Sequence, residues 1–388
     1  MIGKQMKVVG LFSGVGGLEL GLKRAGHETV SLCESDPAAQ HVLRKQFQDI
    51  EIVDDVRRLR RLPPEADILA AGFPCQDLSQ AGTTNGINGG KSGVVSDIFR
   101  LLRRKRVPWI LIENVPFMLR LNGGAAIHYL VSQFEKLGYR WAYRVVDSHA
   151  FGLPQRRLRV YLMASCQSDP ASFLLGKGES PRAHLPARGA RTAYRGRACG
   201  FYWTEGNRGL GWAVDAVPPL KGGSGVGIPS APAIWLPDGR IVVPDIRDAE
   251  RLQGLSVDWT KPAENVARPS YRWRLVGNAV TVRVARWLGS LLGKPCGSLH
   301  GGQSELLEGD PWPNAAFGSR EGRFCVQASA WPVARKSRAL DEFLRFPARP
   351  LSKRALAGFT NRLKKSRLHY PAEFLAALES CLLNPEIS

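Results

Sequence analysis

Cys75 sits in the run Ala70-Ala71-Gly72-Phe73-Pro74-Cys75-Gln76, directly after an apolar stretch, Ala66-Asp67-Ile68-Leu69-Ala70-Ala71, that reads as a buried strand. A thiol between Pro and Gln at a strand end is placed to act; the alternative is the small buried hydrophobe that a free cysteine usually is. To act as a nucleophile it needs its thiolate form. Glu113-Asn114-Val115 follows a second such strand, Trp109-Ile110-Leu111-Ile112. A carboxyl where a buried strand emerges can hydrogen-bond or protonate a ring nitrogen, or it can be a salt-bridged structural acid. Gln155-Arg156-Arg157-Leu158-Arg159 comes later. Arg157 and Arg159 are two positions apart, so on a strand both side chains share one face. Two guanidiniums there suit a carboxylate, a base carbonyl or a phosphate, unless the face is merely solvated. A thiol, a carboxylate and an arginine cluster at successive strand ends imply an enzyme that attacks an anionic substrate covalently.

These groups need a frame. Short apolar runs at 7–12, 28–33, 66–71, 109–112 and 157–164 alternate with helical patterns at 17–25 and 37–47. Strand-helix alternation predicts a parallel sheet covered on both faces, in which ligands bind at the carboxyl ends of the strands. Phe12-Ser13-Gly14-Val15-Gly16-Gly17-Leu18 leaves the first strand and opens a helix, as nucleotide-binding turns do. It is not a dinucleotide fingerprint, because Glu19 stands where the third glycine belongs. Glu34, at the end of the second strand, can accept both hydroxyls of a ribose. Together they imply an adenosine-containing cofactor, with Asp55 able to accept from the adenine amino group or to remain a solvated loop acid. The run 76–93 carries Gly82, Gly86, Gly89, Gly90 and Gly93, as a loop that closes on bound substrate would.

The 388 residues carry a formal net charge of +20. That excess points to a polyanion, and nucleic acid above all, since neutralised phosphates release counterions. No long basic amphipathic helix favours a membrane surface. The seven cysteines are scattered, with no Cys-x-x-Cys and no metal-ligand spacing, so neither a disulfide framework nor a metal is expected, and a reducing compartment is. No apolar run approaches the ~20 residues of a spanning helix. From about 166 to 271 the composition shifts to Gly, Pro and Arg, predicting an irregular second domain. Helices are expected at 247–255 and at 278–292, the latter with Asn278 as N-cap. A linker at 293–313 precedes a tail with helices at 352–366 and 371–383.

Taken together, 11–21, 33–36, 72–79, 112–115, 151–159, 247–254 and 276–280 resemble, in order, the motifs of the DNA (cytosine-5)-methyltransferases of the bacterial or phage modification type. Phe151-Gly152-Leu153-Pro154-Gln155-Arg156-Arg157-Leu158-Arg159 and Arg251-Leu252-Gln253-Gly254 are the most diagnostic. The resemblance implies an α/β fold: a Rossmann-like S-adenosylmethionine-dependent methyltransferase sheet (1–165, completed by 272–293), a smaller irregular target-recognition domain (166–271) and a helical C-terminal extension (294–388). That basic extension either adds a DNA-backbone contact or caps the fold.

It further implies S-adenosyl-L-methionine as cofactor, duplex DNA as partner, Cys75 as nucleophile on carbon 6 of cytosine, Glu113 on ring nitrogen 3, and Arg159 with Arg157 orienting the base and the carboxylate. For the cofactor it carries over Phe12, Gly14, Gly16, Gly17, Leu18, Glu34, Asp55, Pro74, Asn278, Ala279 and Val280. Gln76 and Ser79, with Arg195, Arg197, Arg208 and Lys221 of the recognition region, become the DNA contacts. A cytoplasmic protein acting as a monomer on DNA, as the modification half of a restriction system, is the expectation. Two departures stand out: Ser35 follows Glu34 where some members have an aromatic residue, and Ala279 stands where serine is common. The rival readings are an amino-methyltransferase acting on adenine or cytosine N4, disfavoured because the strand end reads Gly72-Phe73-Pro74-Cys75, a tRNA-directed relative sharing the cysteine chemistry, and a non-catalytic DNA-binding relative. From the +20 charge, affinity for non-target DNA should fall steeply with salt in a filter-binding titration; a flat response would remove the electrostatic argument.

Overall fold

The computed structural model describes residues 4–73, 93–176, 193–207, 209–222, 231–293 and 302–383. They form two compact units: Met1–Asp147 with Leu158–Glu179 and Val280–Val333, and Ser148–Arg157 with Ser180–Ala279 and Ala334–Ser388.

The first unit is built on β1 (Lys7–Leu11), β2 (Glu28–Cys33), β3 (Glu51–Val53), β4 (Ile68–Gly72), β5 (Trp109–Asn114), β6 (Arg140–Asp147) and β7 (Leu158–Ser165). Its order is β6-β7-β5-β4-β1-β2-β3. β3, β2, β1, β4 and β5 run parallel, and β7 is antiparallel to both β5 and β6. Helices α1 (Gly17–Arg24), α2 (Pro37–Gln46), α3 (Val94–Arg104) and α4 (Ala125–Lys136) connect the strands. Strand order reverses between β1 and β4, so connections leave to opposite sides there and open a crevice at the carboxyl ends. The expected strands recur within a few residues. β6 is an addition: its alternation is hidden because all of it after Arg140 is buried, Arg144 included, whose guanidinium donates to the carbonyl of Leu174 at 2.9 Å.

The linker and tail expectations need correction. Strands Ala315–Ser319 and Gly322–Val326 form a hairpin on the free edge of β6, and Gln303–Glu305 extends it, giving a ten-stranded sheet. Pairing satisfies backbone groups that an edge leaves open. Stacked Phe317 and Phe324 (5.4 Å) and Trp312 beside Trp141 and Tyr143 hold the hairpin in place.

The second unit carries a five-stranded sheet in the order Arg349–Pro350, Ile241–Val243, Ala233–Trp235, Cys199–Phe201, Ala213–Val214, with every pairing antiparallel. Its helices Lys353–Lys364 and Ala372–Leu383 are not a separate extension. Phe359 and Phe374 lie 5.1 and 4.9 Å from the Phe201 ring, completing the core of this unit. The helix expected from Asn278 is also different. Arg272–Asn278 ends at Asn278, Ala279 is extended, and a new helix, Val282–Leu291, begins after Thr281. The break follows from Arg157, which takes the carbonyls of Gly277 and Ala279 that a continuous helix would use internally.

α1 holds a buried acid against β1. Glu19 is 1% exposed, its carboxyl fills the space a Cβ on Gly10 would need, and Oε2 has no hydrogen-bond partner among the described residues. Burial pushes this carboxyl from its ordinary 4.5 up to about 7. The unfolded chain therefore ionises first, and stability falls as pH rises from 4.5 to 7, then stays low. Glu19→Gln should raise the unfolding midpoint at pH 8, by at most about 3 kcal/mol of stability, and change little at pH 4; equal effects at both pH values would contradict this.

Candidate active site

Phe12 leaves β1 with φ 56, a left-handed conformation that non-glycine residues rarely adopt and that gathers at functional turns. Its ring meets Phe73, beyond β4, edge-on at 6.1 Å, so the two strand exits on either side of the reversal touch. Gly14 and Gly16 continue the turn at φ 54 and 78. The Ser13 N–H donates to the Cys33 carbonyl at 3.1 Å, and the Gly14 N–H donates to Glu34 Oε2 at 2.7 Å. Glu34 Oε1 accepts from the Asp36 N–H at 2.8 Å, and Gln40 Nε2 holds the Glu34 carbonyl at 2.7 Å. The turn after β1 is thus fastened to the end of β2 with the carboxylate between them. Burial pushes the Glu34 carboxyl up, opposed by the N–H groups of Asp36 and Gly14. Each oxygen receives one backbone N–H and retains acceptor capacity for a hydroxyl.

Leu18 is buried in the first turn of α1. Gly17 must lack a side chain, because the Val280 carbonyl lies 2.5 Å from where its Cβ would stand. The Val280 Cγ2 and Glu113 Oε2 atoms lie 3.5 and 3.6 Å from a Cβ built on Gly72. Turn, β4 exit, Glu113 and Val280 therefore share one edge of the first unit. Asp55 is differently engaged. Arg57 donates to both of its oxygens, at 2.7 to 3.0 Å, and these bonds hold its carboxyl below the ordinary range.

Glu113 is the register partner of Gly72. Its Oε1 lies 3.1 Å from Arg159 Nε, with the two side chains 11% and 13% exposed. The other oxygen, Oε2, is the one that lies beside Gly72. Asn114, which composition alone does not single out, donates from Nδ2 to the Phe73 carbonyl at 3.0 Å and accepts from the Val115 N–H at 2.8 Å. It pins the chain where β4 hands over to the cysteine-bearing segment. Pro74, Cys75, Gln76 and Ser79, with the whole run 76–92, lie outside the described residues, as does Arg208.

Arg157 does not pair with Arg159 as expected. β7 begins only at Leu158, so the period-two argument fails at Arg157. Its guanidinium is buried in the second unit and donates to the carbonyls of Leu220 (3.0 Å), Gly277 (3.2 Å) and Ala279 (3.0 Å). Gln155 joins it there: Nε2 donates to the Leu252 carbonyl at 2.9 Å, and Oε1 accepts from the Leu220 N–H at 3.1 Å. Gln253 Nε2 donates to the Val276 carbonyl at 2.9 Å. The two diagnostic motifs thus form one buried network that holds three backbone segments. Asn278 packs its amide against Gly222, and Ala279 contributes its carbonyl to Arg157.

Of the expected DNA contacts, Arg195 lies 3.7 Å from Glu373, and both side chains are largely exposed. Arg197 is exposed. Lys221 pairs with Glu205 and lies 3.7 Å over the Tyr202 ring, so it is committed within its own unit. Among the described residues no cluster of three or more His, Cys, Asp or Glu could hold a metal ion, and no helix is long and apolar enough to cross a membrane.

Residues 6–189 match the family described as C-5 cytosine-specific DNA methylase. The chain is 49% identical over 385 residues, 97% of its own length, to the Type II methyltransferase M2.BsuMI of Bacillus subtilis (strain 168), covering 98% of that protein. It is 33% identical over 159 residues, 41% of its length, to the Type II methyltransferase M.MspI of Moraxella sp, covering 38% of that protein. Among solved structures, the S. pombe Dnmt2 methyltransferase aligns with a TM-score of 0.54 at 17% identity, covering 74% of this chain and 98% of that one; at that identity the likeness is one of fold. The nearly full-length match at 49% identity leaves no such restriction: the chain belongs to the C-5 cytosine-specific DNA methylases.

Proposed function

We propose that this methylase transfers a methyl group from S-adenosyl-L-methionine to carbon 5 of a cytosine turned out of duplex DNA, through a transient bond from Cys75 Sγ to carbon 6 of the ring. The observation that carries this reading is the Glu113–Arg159 pair beside Gly72, the last strand residue before Phe73-Pro74-Cys75. Pyrimidine carbon 5 is a poor methyl acceptor until a nucleophile adds next to it. The Cys75 thiolate adds to carbon 6, and electron density moves to nitrogen 3, where Glu113 donates a proton or a hydrogen bond. Arg159 holds Oε1, which leaves Oε2 of the same carboxyl for the ring. Carbon 5 is then the nucleophilic carbon of an enamine. S-adenosyl-L-methionine, when bound, supplies an electrophilic methyl group. After carbon 5 loses its proton to a base, the ring double bond re-forms and Cys75 leaves as thiolate. The ring edge is unreachable in a stacked duplex, so the base must leave the helix.

The residues present fit an adenosine-bearing cofactor. Glu34 keeps acceptor capacity on both oxygens beside a turn whose Gly14 and Gly16 take left-handed conformations. Phe12, Gly14, Gly16, Gly17, Leu18, Glu34 and Val280 would hold it, with Asp55 sharing its oxygens between Arg57 and the adenine amino group. Pro74, Asn278 and Ala279 complete that set by resemblance. The first unit would then be catalytic and the second would recognise the target, with Gln76, Ser79, Arg195, Arg197 and Arg208 at the DNA. Lys221, already paired, is the weakest of these contacts, and Arg157 acts as a positioning residue. The name of the B. subtilis relative, a Type II methyltransferase, supports a place as the modification enzyme of a restriction system; action as a monomer in the cytoplasm completes the reading.

Incubation with labelled cofactor and either duplex DNA or tRNA tests the reading: label should appear in DNA alone, and label confined to tRNA would overturn it. Cys75→Ser should abolish turnover while DNA binding survives in a gel-shift assay. Glu113→Gln should lower kcat by about 10²–10⁴, the range for one positioned acid, with DNA affinity kept. Undiminished turnover in either variant would contradict the covalent route.

A further inference from the structure

The runs Arg57-Arg58-Leu59-Arg60-Arg61 and Arg103-Arg104-Lys105-Arg106 are far apart in sequence, and apart from Arg57, which binds Asp55, their residues have no part in the chemistry above. In the first unit they come together. Arg100 donates to the carbonyls of Leu59 (2.7 Å) and Val56 (2.9 Å), Arg104 to that of Arg60 (2.6 Å), and Lys105 to those of Pro63 and Pro64. The last turn of α3 is thereby fastened along the loop from 56 to 64. Arg57 and Arg58 are balanced by Asp55 and Asp54. No described carboxylate forms an ion pair with Arg60, Arg61, Arg103, Arg104, Lys105 or Arg106, and all of these but half-buried Lys105 are exposed. The loop itself carries no acid, and Glu65 follows directly after it. The negative end of the α3 dipole favours cations in its last turn, but it gives no reason for Arg60 and Arg61.

The location decides what this patch can serve. α3 starts beyond the carboxyl end of β4 and returns to the amino end of β5. Pro63 receives the Ala66 N–H, Asp67 donates to the carbonyl of Lys7, the first residue of β1, and Trp109, the first of β5, donates to that of Asp67. Arg60, Arg61 and the run Arg103–Arg106, the unpaired part of the patch, therefore lie toward the amino ends of β4 and β5. Glu113, Val280 and the glycine turn lie at the carboxyl ends, a strand length of about 17 Å away.

We propose that this arginine patch binds the phosphate backbone of a second stretch of duplex DNA, separate from the stretch whose cytosine is being methylated. That separateness rests on the reading that the chemistry occupies the carboxyl ends. Arginine forks match phosphate oxygens, the substrate is itself a long polyanion, and the loop is held rigid by carbonyl contacts that leave most of the guanidinium donors outward. The enzyme would then hold two DNA segments at once and pass between them without release.

The test uses the full chain carrying R60E, R61E, R103E and R106E together. Protein saturated with an immobilised short target duplex is offered a labelled second duplex. Wild type should capture it, and the variant should capture at least tenfold less. The salt slope of that capture should be shallower in the variant by up to about 4, close to one for each phosphate no longer neutralised. Methylation of the short duplex alone should keep its kcat and KM within about twofold, which also reports that the variant folds. If the variant does not fold, the same four positions changed to glutamine replace it. No capture by wild type, undiminished capture by the folded variant, or parallel loss of short-duplex methylation by a variant with wild-type thermal unfolding would each overturn the proposal. Absence of methylation by wild type would instead strike at the catalytic reading.

Discussion

The reversal of strand order between β1 and β4 is the constraint on which everything else rests. Because the parallel strands all point one way, their carboxyl ends deliver Phe12, Glu34, Phe73 and Glu113 to a single edge. The reversal opens the crevice there by sending the helical connections to opposite faces. The local details tighten this arrangement. Ser13 and Gly14 bind the turn to the end of β2, Phe12 touches Phe73 across the reversal, and Asn114 ties β5 to the residue that follows β4. The strained φ of Phe12 persists because these contacts over-determine it.

The second unit uses its arginines for a different purpose. Arg157, with Gln155 and Gln253, donates to carbonyls at 220, 252, 277 and 279 and shares that of 276 with the Ala279 N–H. Hydrogen bonds from a charged donor contribute about 1.5–3 kcal/mol each, and stranding their partners in the interior is costly. Arg272 is a second such centre, pairing with Glu250, Asp258 and Glu264. An irregular, short-stranded unit holds a defined shape through such nodes where its sheet alone would be marginal. Gln155, Arg157 and Gln253, members of the two diagnostic motifs, are spent on backbone carbonyls within this unit.

Much of this is legible from residue order. β1, β2, β4 and β5 announce themselves as short apolar runs, and the turn after β1 as glycines at a strand-helix junction. Glu113 and Arg159 do meet, as the resemblance implies and residue types alone leave open. What cannot be read has physical reasons. β6 is buried on both faces and so shows no alternation. The hairpin Ala315–Val326 belongs to the sheet only because β6 offers an edge, which is information about a partner rather than about the segment. Periodicity puts Arg157 on a strand face because it cannot tell where a strand begins. One residue of offset moves it into a buried carbonyl network. The tail helices look like a basic appendage in sequence, yet Phe359 and Phe374 belong to a core whose other half lies about Phe201.

A covalent bond between residue 75 and the target ring is the central claim, and trapping that bond tests it most directly. Fluorine at carbon 5 cannot depart as a proton does, so a duplex carrying 5-fluorocytosine at the target should arrest turnover with the protein attached. Digestion and mass spectrometry of the arrested complex should find the nucleotide on the peptide containing Cys75. Attachment at any other residue, or full methylation of normal DNA by a protein that never forms the adduct, would contradict the account.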